Sequence, residues 1–443
     1  MFEFIVILSR YTFIFYIAFF LLQGFNYILA ERKIRQIDKF GAVIKQRVVL
    51  FLMHLNASMI LSYSPKEMAF DKEALFVLSA GFLLFLAMSF LVDKIYKGCC
   101  PLINNGVLFL MNVSLIVLFR LSPNLAQRQL IWFFIGFIIM FFVPLVLKII
   151  PRFEKLEIVY YLTGLGLLLA TSIVGRKEFG AQRWIAIGSI TFQPSEIVKF
   201  LFIFYLASVF RKKLSLKQII IPSILSAVYV LILVYQTDLG SALIFFMTFA
   251  VMMYVSTGRE LLFFGSMGAL TVGSLIAHRI FGHVRVRVDI WRNPWDDPYR
   301  TGHQIIQSLF AIGTWGFFGS GLTRGLPNSV PAMARDSIFS AICEELGWGF
   351  GMGVVGVYIM IFYRGVNISL RCKRRYYSLL AVGFTGLLAF QTFLIIGGTI
   401  KLIPLTGVTL PFISYGGTSI IASTLMIGLL QWIFMYYSEF VED

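Results

Sequence analysis

Charge is what this sequence has least of. Only 14% of its 443 residues are Asp, Glu, Lys or Arg, against roughly a quarter in soluble domains. That excludes an ordinary soluble enzyme. The useful count becomes one of apolar runs near 20 residues, the length that crosses about 30 Å of hydrocarbon. Histidine and cysteine are also sparse, at four each. His54, His278, His283 and His303 form no i,i+4 pair. Cys99, Cys100, Cys343 and Cys372 have neither metal nor redox spacing, so zinc chemistry is not expected. The N-terminus lacks a basic segment followed by a short apolar core and a small-residue cleavage site, so residues 4–30 read as a retained span. No short tandem repeat is present. The glycine-rich "GFFGSGLTRG" has no βαβ surroundings, which excludes a dinucleotide fingerprint.

What the sequence has is apolar length: 58% of residues are hydrophobic, and mean hydropathy is +0.84. The runs predict an all-α polytopic membrane protein with about 13 transmembrane helices. They fall near 4–30, 42–63, 74–93, 104–121, 129–149, 156–174, 194–211, 217–235, 239–256, 260–279, 337–363, 377–397 and 413–437. The connections "ERKIRQIDK", "DKIYKG", "KIIPRFEK", "FRKKLSLK" and "RGVNISLRCKRRYY" are basic and fall on one alternate face. By the positive-inside tendency that face is cytoplasmic, with the N-terminus outside and the C-terminus inside. The net charge of +16 fits such loops; a pyrophosphate-bearing substrate would also favour them. The other face holds the 174–193 loop, a long segment near 280–336 and the turn near 397–412. So long a connection points to function. Within it "IIQSLFAI" reads as a short interfacial helix and "GFFGSGLTRG" as a flexible glycine turn. The first 100 residues carry three spans with little intramembrane charge, and every polar constellation lies after residue 175. The division expected is an added bundle over 1–100 and a functional core over 101–443.

Four stretches carry those constellations. In "GAQRWIAIGSITFQPSEIVKF", Pro194 suits a first helical turn, and Glu196 and Lys199 share a helix face at i,i+3. They form either a local ion pair or the wall of a polar cavity, where ionisable groups in spans usually face. Trp184 is an expected interfacial residue, and Arg183 beside it could hold phosphate. In "YQTDLGSAL", Asp238 is either a helix N-cap or a cavity residue. In "ARDSIFSAICEELGWG", Asp336 would cap a long span, with Glu344 and Glu345 following in the same helix. Asp336 and Glu344 stand roughly 12 Å apart at helical rise. That is too far for the carboxylate pair of a retaining glycosidase, whereas a single general base remains open. In "GGTIKLIPLTGVTLPFISYGG", glycines, prolines and hydroxyls interrupt the apolar pattern; non-helical backbone at this depth must be buried or line a cavity. The residues thus describe an outward-facing site of cations and carboxylates, fit for an enzyme on a lipid-linked substrate or for a transporter.

Five blocks resemble the SEDS family (shape, elongation, division and sporulation; RodA, FtsW and SpoVE). They are "GAQRWIAIGSITFQPSEIVKF", "QTDLGSAL", "NPWDDPYRTGHQIIQSLFAIGTWGFFGSGL", "DSIFSAICEELG" and "PLTGVTLPFISYGG", in the family's order. The resemblance extends back to about residue 104 and implies a ten-span core, with residues 1–100 outside it. It implies a multi-pass peptidoglycan glycosyltransferase of the bacterial cytoplasmic membrane. Such an enzyme polymerises lipid II, an undecaprenyl-pyrophosphate-linked disaccharide-peptide, at the outer face, beside a class B penicillin-binding protein. Cell elongation, division and sporulation are all served by the family. The family's essential aspartate maps to Asp336, the candidate base. The family's cavity positions map to Arg183, Trp184, Glu196 and Lys199; Asp238, Gln304, Glu345 and Ser414 are further substrate-binding candidates, and Arg285, Arg287 and Arg324 are added as cations for the pyrophosphate. A divalent cation such as Mg²⁺ could share that task, though no signature fixes its ligands; no nucleic acid is expected. The chain departs from the family at Thr237, where proline is common, and at Ala334 and Arg335, where "HT" is frequent. Arg335 would either pair with Asp336 and lower its pKa or point at pyrophosphate. A non-catalytic scaffold for the penicillin-binding protein and a lipid II flippase are the alternatives. A flippase would spread polar residues across the membrane depth, and here they cluster outward.

Overall fold

The computed structural model describes residues 2–437 apart from residues 35, 37, 65–67, 150–152, 179–180, 188–189 and 213. Its helices, in chain order, begin with three N-terminal ones: α1 (Phe2–Glu31), α2 (Lys39–Ser62) and α3 (Lys72–Ile95). There follow α4 (Pro101–Leu121), α5 (Pro123–Ile149), α6 (Glu157–Val174), α7 (Pro194–Phe210), α8 (Leu216–Tyr235), α9 (Leu239–Thr257) and α10 (Glu260–Ile280). The last are α11 (Gly282–Arg292), α12 (His303–Gly313), α13 (Ile338–Leu346), α14 (Trp348–Leu370), α15 (Arg375–Thr399) and α16 (Gly417–Tyr437). Twelve of them are at least 18 residues long and apolar enough to cross a membrane. The 17 residues of α7 fall just below that length. With it the count of long apolar helices reaches the expected one.

Three expectations are corrected in the segments between the long helices. The run 337–363 is not one helix. It breaks at Gly347, whose φ of +88° and ψ of 154° lie in a region essentially reserved for glycine. The break is held from outside, because Trp348 and Gly349 donate their N–H groups to the carbonyls of Gly316 and Phe317. Those carbonyls satisfy first-turn donors that a continuous helix would have paired internally. Second, the glycine turn is pinned. Ser320 N–H and Gly321 N–H donate to the carbonyls of Glu344 and Glu345 at 2.8 and 2.9 Å, tying the turn to α13. Third, the 174–193 loop contains a three-stranded antiparallel sheet of Arg176–Glu178, Ala181–Ile187 and Ile190–Phe192. As expected, "IIQSLFAI" lies in a short helix, α12.

The centre of the bundle is α4, whose apolar window is wholly buried. It is covered on one side by α2 and α3 and on the other by α5 and α14. Its polar residues explain why the N-terminal helices stay on it. Asn112 Oδ1 lies 2.6 Å from His54 Nδ1, and its amide donates to Leu50 O at 3.2 Å. Asn105 donates to Gln46 Oε1 and Val43 O and accepts from Arg47. Hydrocarbon offers these groups no other partner, so interhelical hydrogen bonds fasten helices in membranes, at about 0.6 kcal/mol each on average. The expected division at residues 100 and 101 therefore falls between segments joined by buried hydrogen bonds.

Candidate functional site

A cavity of about 1170 Å³ opens among the ends of the core helices, and its lining includes Arg183, Trp184, Glu196, Asp238, Arg287, Gln304, Arg335 and Asp336. The sheet carries Arg183 and Trp184 over it. Asp238 begins α9 and Glu196 lies in the first turn of α7. Arg287 comes from α11 and Gln304 from α12. The non-helical stretch 404–416 supplies the inner wall, where Thr406, Val408, Leu410 and Ser414 are buried.

The peptide groups of that stretch are satisfied by the site's own arginines. Arg183 donates to Gly407 O at 2.9 Å, and Arg287 donates to Thr406 O at 3.2 Å. This is how irregular backbone is tolerated at the depth of a membrane helix. Ser414 donates to Arg335 O at 2.5 Å and accepts from Leu410 N–H, and Tyr415 N–H donates to Ala334 O at 2.8 Å. The wall and the segment carrying Asp336 are thus one unit.

Asp336 stands at the focus. Its carboxylate oxygen Oδ2 and Arg183 Nη1 each lie 3.6 Å from the place a side chain on Gly407 would occupy. Gly407 has φ +69°, a backbone conformation that favours glycine. The N-cap position of α13 belongs to Ser337, with no side-chain capping bond, and Asp336 is left facing the cavity. Burial raises the Asp336 pKa, opposed by Arg183, Arg335 and Arg287 in that order. The expectation for Arg335 resolves into a third arrangement. Its guanidinium lies over the ring of Trp184, 5.8 Å from the centroid, and acts on Asp336 only through its field. Burial lowers the Arg287 pKa, as does Arg183, while Asp238 and Asp336 raise it.

Asp238 fulfils both of its readings. It accepts from Ser241 N–H at 3.2 Å and Ser241 Oγ–H at 2.7 Å as a cap, and pairs with Arg183 Nε at 3.6 Å in the cavity wall. Glu196 reaches the cavity, whereas Lys199 does not line it. Fully buried, Lys199 pairs with Glu196 at 2.7 Å and donates to Gln391 Oε1 at 3.0 Å. Four further candidates stand apart from the lining. Arg285 is exposed and donates to Arg279 O; two residues from Arg287, it lies on the opposite face of α11. Arg324 pairs with Glu3 at 3.6 Å. Glu345 is buried behind the site and paired with Arg120 at 2.8 Å. Ser414 spends its hydroxyl on backbone. Gln193, Ser241, Thr301 and Thr409 also line the cavity, and no charge or spacing marked them in the sequence.

Residues 93–439 match the family described as cell cycle protein, FtsW/RodA/SpoVE. The chain belongs to this family. The match leaves α1, α2 and nearly all of α3 outside it. The peptidoglycan glycosyltransferase RodA of Mycobacterium tuberculosis is 31% identical over 360 residues, 74% of this chain and 76% of that relative. Stage V sporulation protein E of Bacillus subtilis is 35% identical over 315 residues, 69% of this chain and 85% of the relative. Among solved structures, a chain of a peptidoglycan synthase complex that coordinates polymerization and crosslinking superposes with TM-score 0.65 at 26% identity. The superposition covers 77% of this chain and 99% of that one.

Proposed function

We propose that this chain is a peptidoglycan glycosyltransferase that polymerises lipid II at the outer face of the cytoplasmic membrane, with its N-terminus outside and its C-terminus inside. One observation carries the reading. A carboxylate, Asp336, faces a cavity in which Arg183, Arg287 and Arg335 supply the field around it. Joining two lipid-linked sugars requires removing a proton from a sugar hydroxyl, and the oxygen so exposed attacks the anomeric carbon of the second sugar. Asp336 takes that proton. Its burial raises its proton affinity, and the arginines keep its charged form accessible. As the anomeric bond breaks, negative charge develops on the pyrophosphate leaving group. Fixed guanidinium groups stabilise that charge without reorganising. Arg183 and Arg287 are held by backbone carbonyls and so meet the requirement.

Among the described residues no group of three or more His, Cys, Asp or Glu could hold a metal ion. A class B penicillin-binding protein is the proposed partner, supported by the synthase complex to which the fold is similar. The core is assigned to residues 101–443 and the added bundle to 1–100. The test is polymerisation of labelled lipid II by purified protein, alone and with its candidate penicillin-binding protein. Glycan strands from the wild type that are lost in Asp336→Asn support the assignment. A partner that binds while no strands form would instead make the chain a scaffold.

A further inference from the structure

The first of the helices outside the family match, α1, touches the loop that leads to Asp336. Val6, buried in α1, packs on Gly321: a side chain placed on that glycine would stand 3.2 Å from Val6 Cγ1 and 3.4 Å from Val6 O. Five residues further along α1, the aromatic rings of Tyr11 and Phe318 meet at 4.8 Å between centroids. Glu3 pairs with Arg324 at 3.6 Å. These contacts fall on residues 318–324 of the loop. That stretch is hydrogen-bonded to the last turn of α13 through Ser320 and Gly321. Its other end is held by carboxylates, since Glu345 accepts from Thr323 N–H and Glu344 from Leu326 N–H. Asp336 lies two residues before α13 begins. A mechanical route therefore runs from α1 through the loop to α13 and the carboxylate. Below this point α1 packs along α14, where Phe13 meets Phe350 edge-on and Arg364 pairs with Glu31, so α1 is fixed at both ends.

We propose that α1 is a positioning element of the site, holding residues 318–324 against α13 and so setting where Asp336 enters the cavity. Its kinetic consequence rests on the glycosyltransferase reading; its structural consequence does not. The experiment uses the full chain in lipid nanodiscs and compares wild type with Tyr11→Ala, Tyr11→Phe and Val6→Ala. Tyr11 is half exposed, so its truncation leaves the bundle intact. Hydrogen exchange of residues 318–337 is read without substrate, and kcat and KM are read with labelled lipid II. The expected result is exchange about tenfold faster at the Ser320 and Gly321 amides in both Ala variants. The kcat falls about tenfold while KM stays within about twofold, and Tyr11→Phe, which keeps the ring contact, behaves as wild type. Unchanged exchange at residues 318–337, faster exchange spread evenly over the chain, or faster local exchange with unchanged kcat would each overturn the proposal. Wild-type protein that makes no strands overturns the glycosyltransferase reading instead, and the exchange result alone then decides the brace.

Discussion

Arg335 lies over the ring of Trp184 and not against the neighbouring carboxylate of Asp336. The distinction matters because an ion pair would hold the carboxylate ionised and weak as a base, whereas a guanidinium at a remove only moderates the effect of burial. Asp336 is raised by burial and lowered, in part, by Arg183, Arg335 and Arg287. Removing Arg335 takes away one lowering influence, so the Asp336 pKa rises further. A base works when deprotonated, so the acid limb of the polymerisation rate should move to higher pH in Arg335→Ala. Rate-against-pH profiles of the two proteins check this; a limb that stays put or moves toward acid refutes it.

Asp336→Asn tests the base itself. Loss of a general base costs about 10²- to 10⁴-fold in rate. The same substitution has a stability signature of defined sign. A carboxylate whose folded pKa is raised contributes stability fully present below its unfolded pKa and lost as pH rises through the folded value. Asparagine carries no such penalty. Thermal unfolding of Asp336→Asn should therefore match wild type in acid and exceed it above the raised pKa, while strand synthesis is lost. An inactive variant that is also less stable at alkaline pH would show that Asp336 holds the fold together and would remove the case for a base.

Glu196 and Lys199 act as a pair. Lys199→Met leaves Glu196 charged, buried and unpaired, a loss of about 3–5 kcal/mol for a broken buried pair. The double variant Glu196→Gln, Lys199→Met leaves no charge to strand, so most of that stability should return. Activity should not return with it, because Glu196 is the member that reaches the cavity. Denaturation of the three proteins in detergent decides; a double variant no more stable than Lys199→Met excludes pairing as the reason Lys199 is there.

The spans were legible because hydrocarbon demands long apolar helices, and that demand is written in composition. Arg183, Glu196, Asp238 and Asp336 were legible because ionisable groups at a membrane surface are few and each needs a reason. Gln193, Ser241, Thr301 and Thr409 gave no such signal, since neutral polar residues abound in outer loops. The sheet was missed although "QRWIAI" and "ITF" are β-prone runs around a Gly-Ser pair, a pattern that reads as a hairpin. Lys199 and Glu345 were misplaced for a shared reason. Spacing along a helix tells which residues share a face, but not whether that face meets a cavity or a partner such as Arg120. Gly347 was hidden inside an apolar run, because what breaks the helix there is the distant loop at Phe317.

That loop leaves Gly347 little freedom to change. A Cβ at Gly347 would stand 2.1 Å from Phe317 O and 2.6 Å from Gly319 N, both backbone atoms that cannot rotate away. The φ of +88° adds strain for any side chain. Gly347→Ala must displace the strip that caps α14 and, through Ser320 and Gly321, the strip bound to α13. The expected loss is above about 3 kcal/mol, and any protein that folds should have lost strand synthesis. Gly386, inside α15, is the control. There the nearest atom to a Cβ is Val251 Cγ1 at 3.7 Å, an ordinary contact. Gly386→Ala should change stability by less than about 1 kcal/mol and leave the site intact. Thermal unfolding and strand synthesis of the two variants side by side measure the difference. Equal effects would mean that the break between α13 and α14 tolerates movement and that the loop at Phe317 does not hold it.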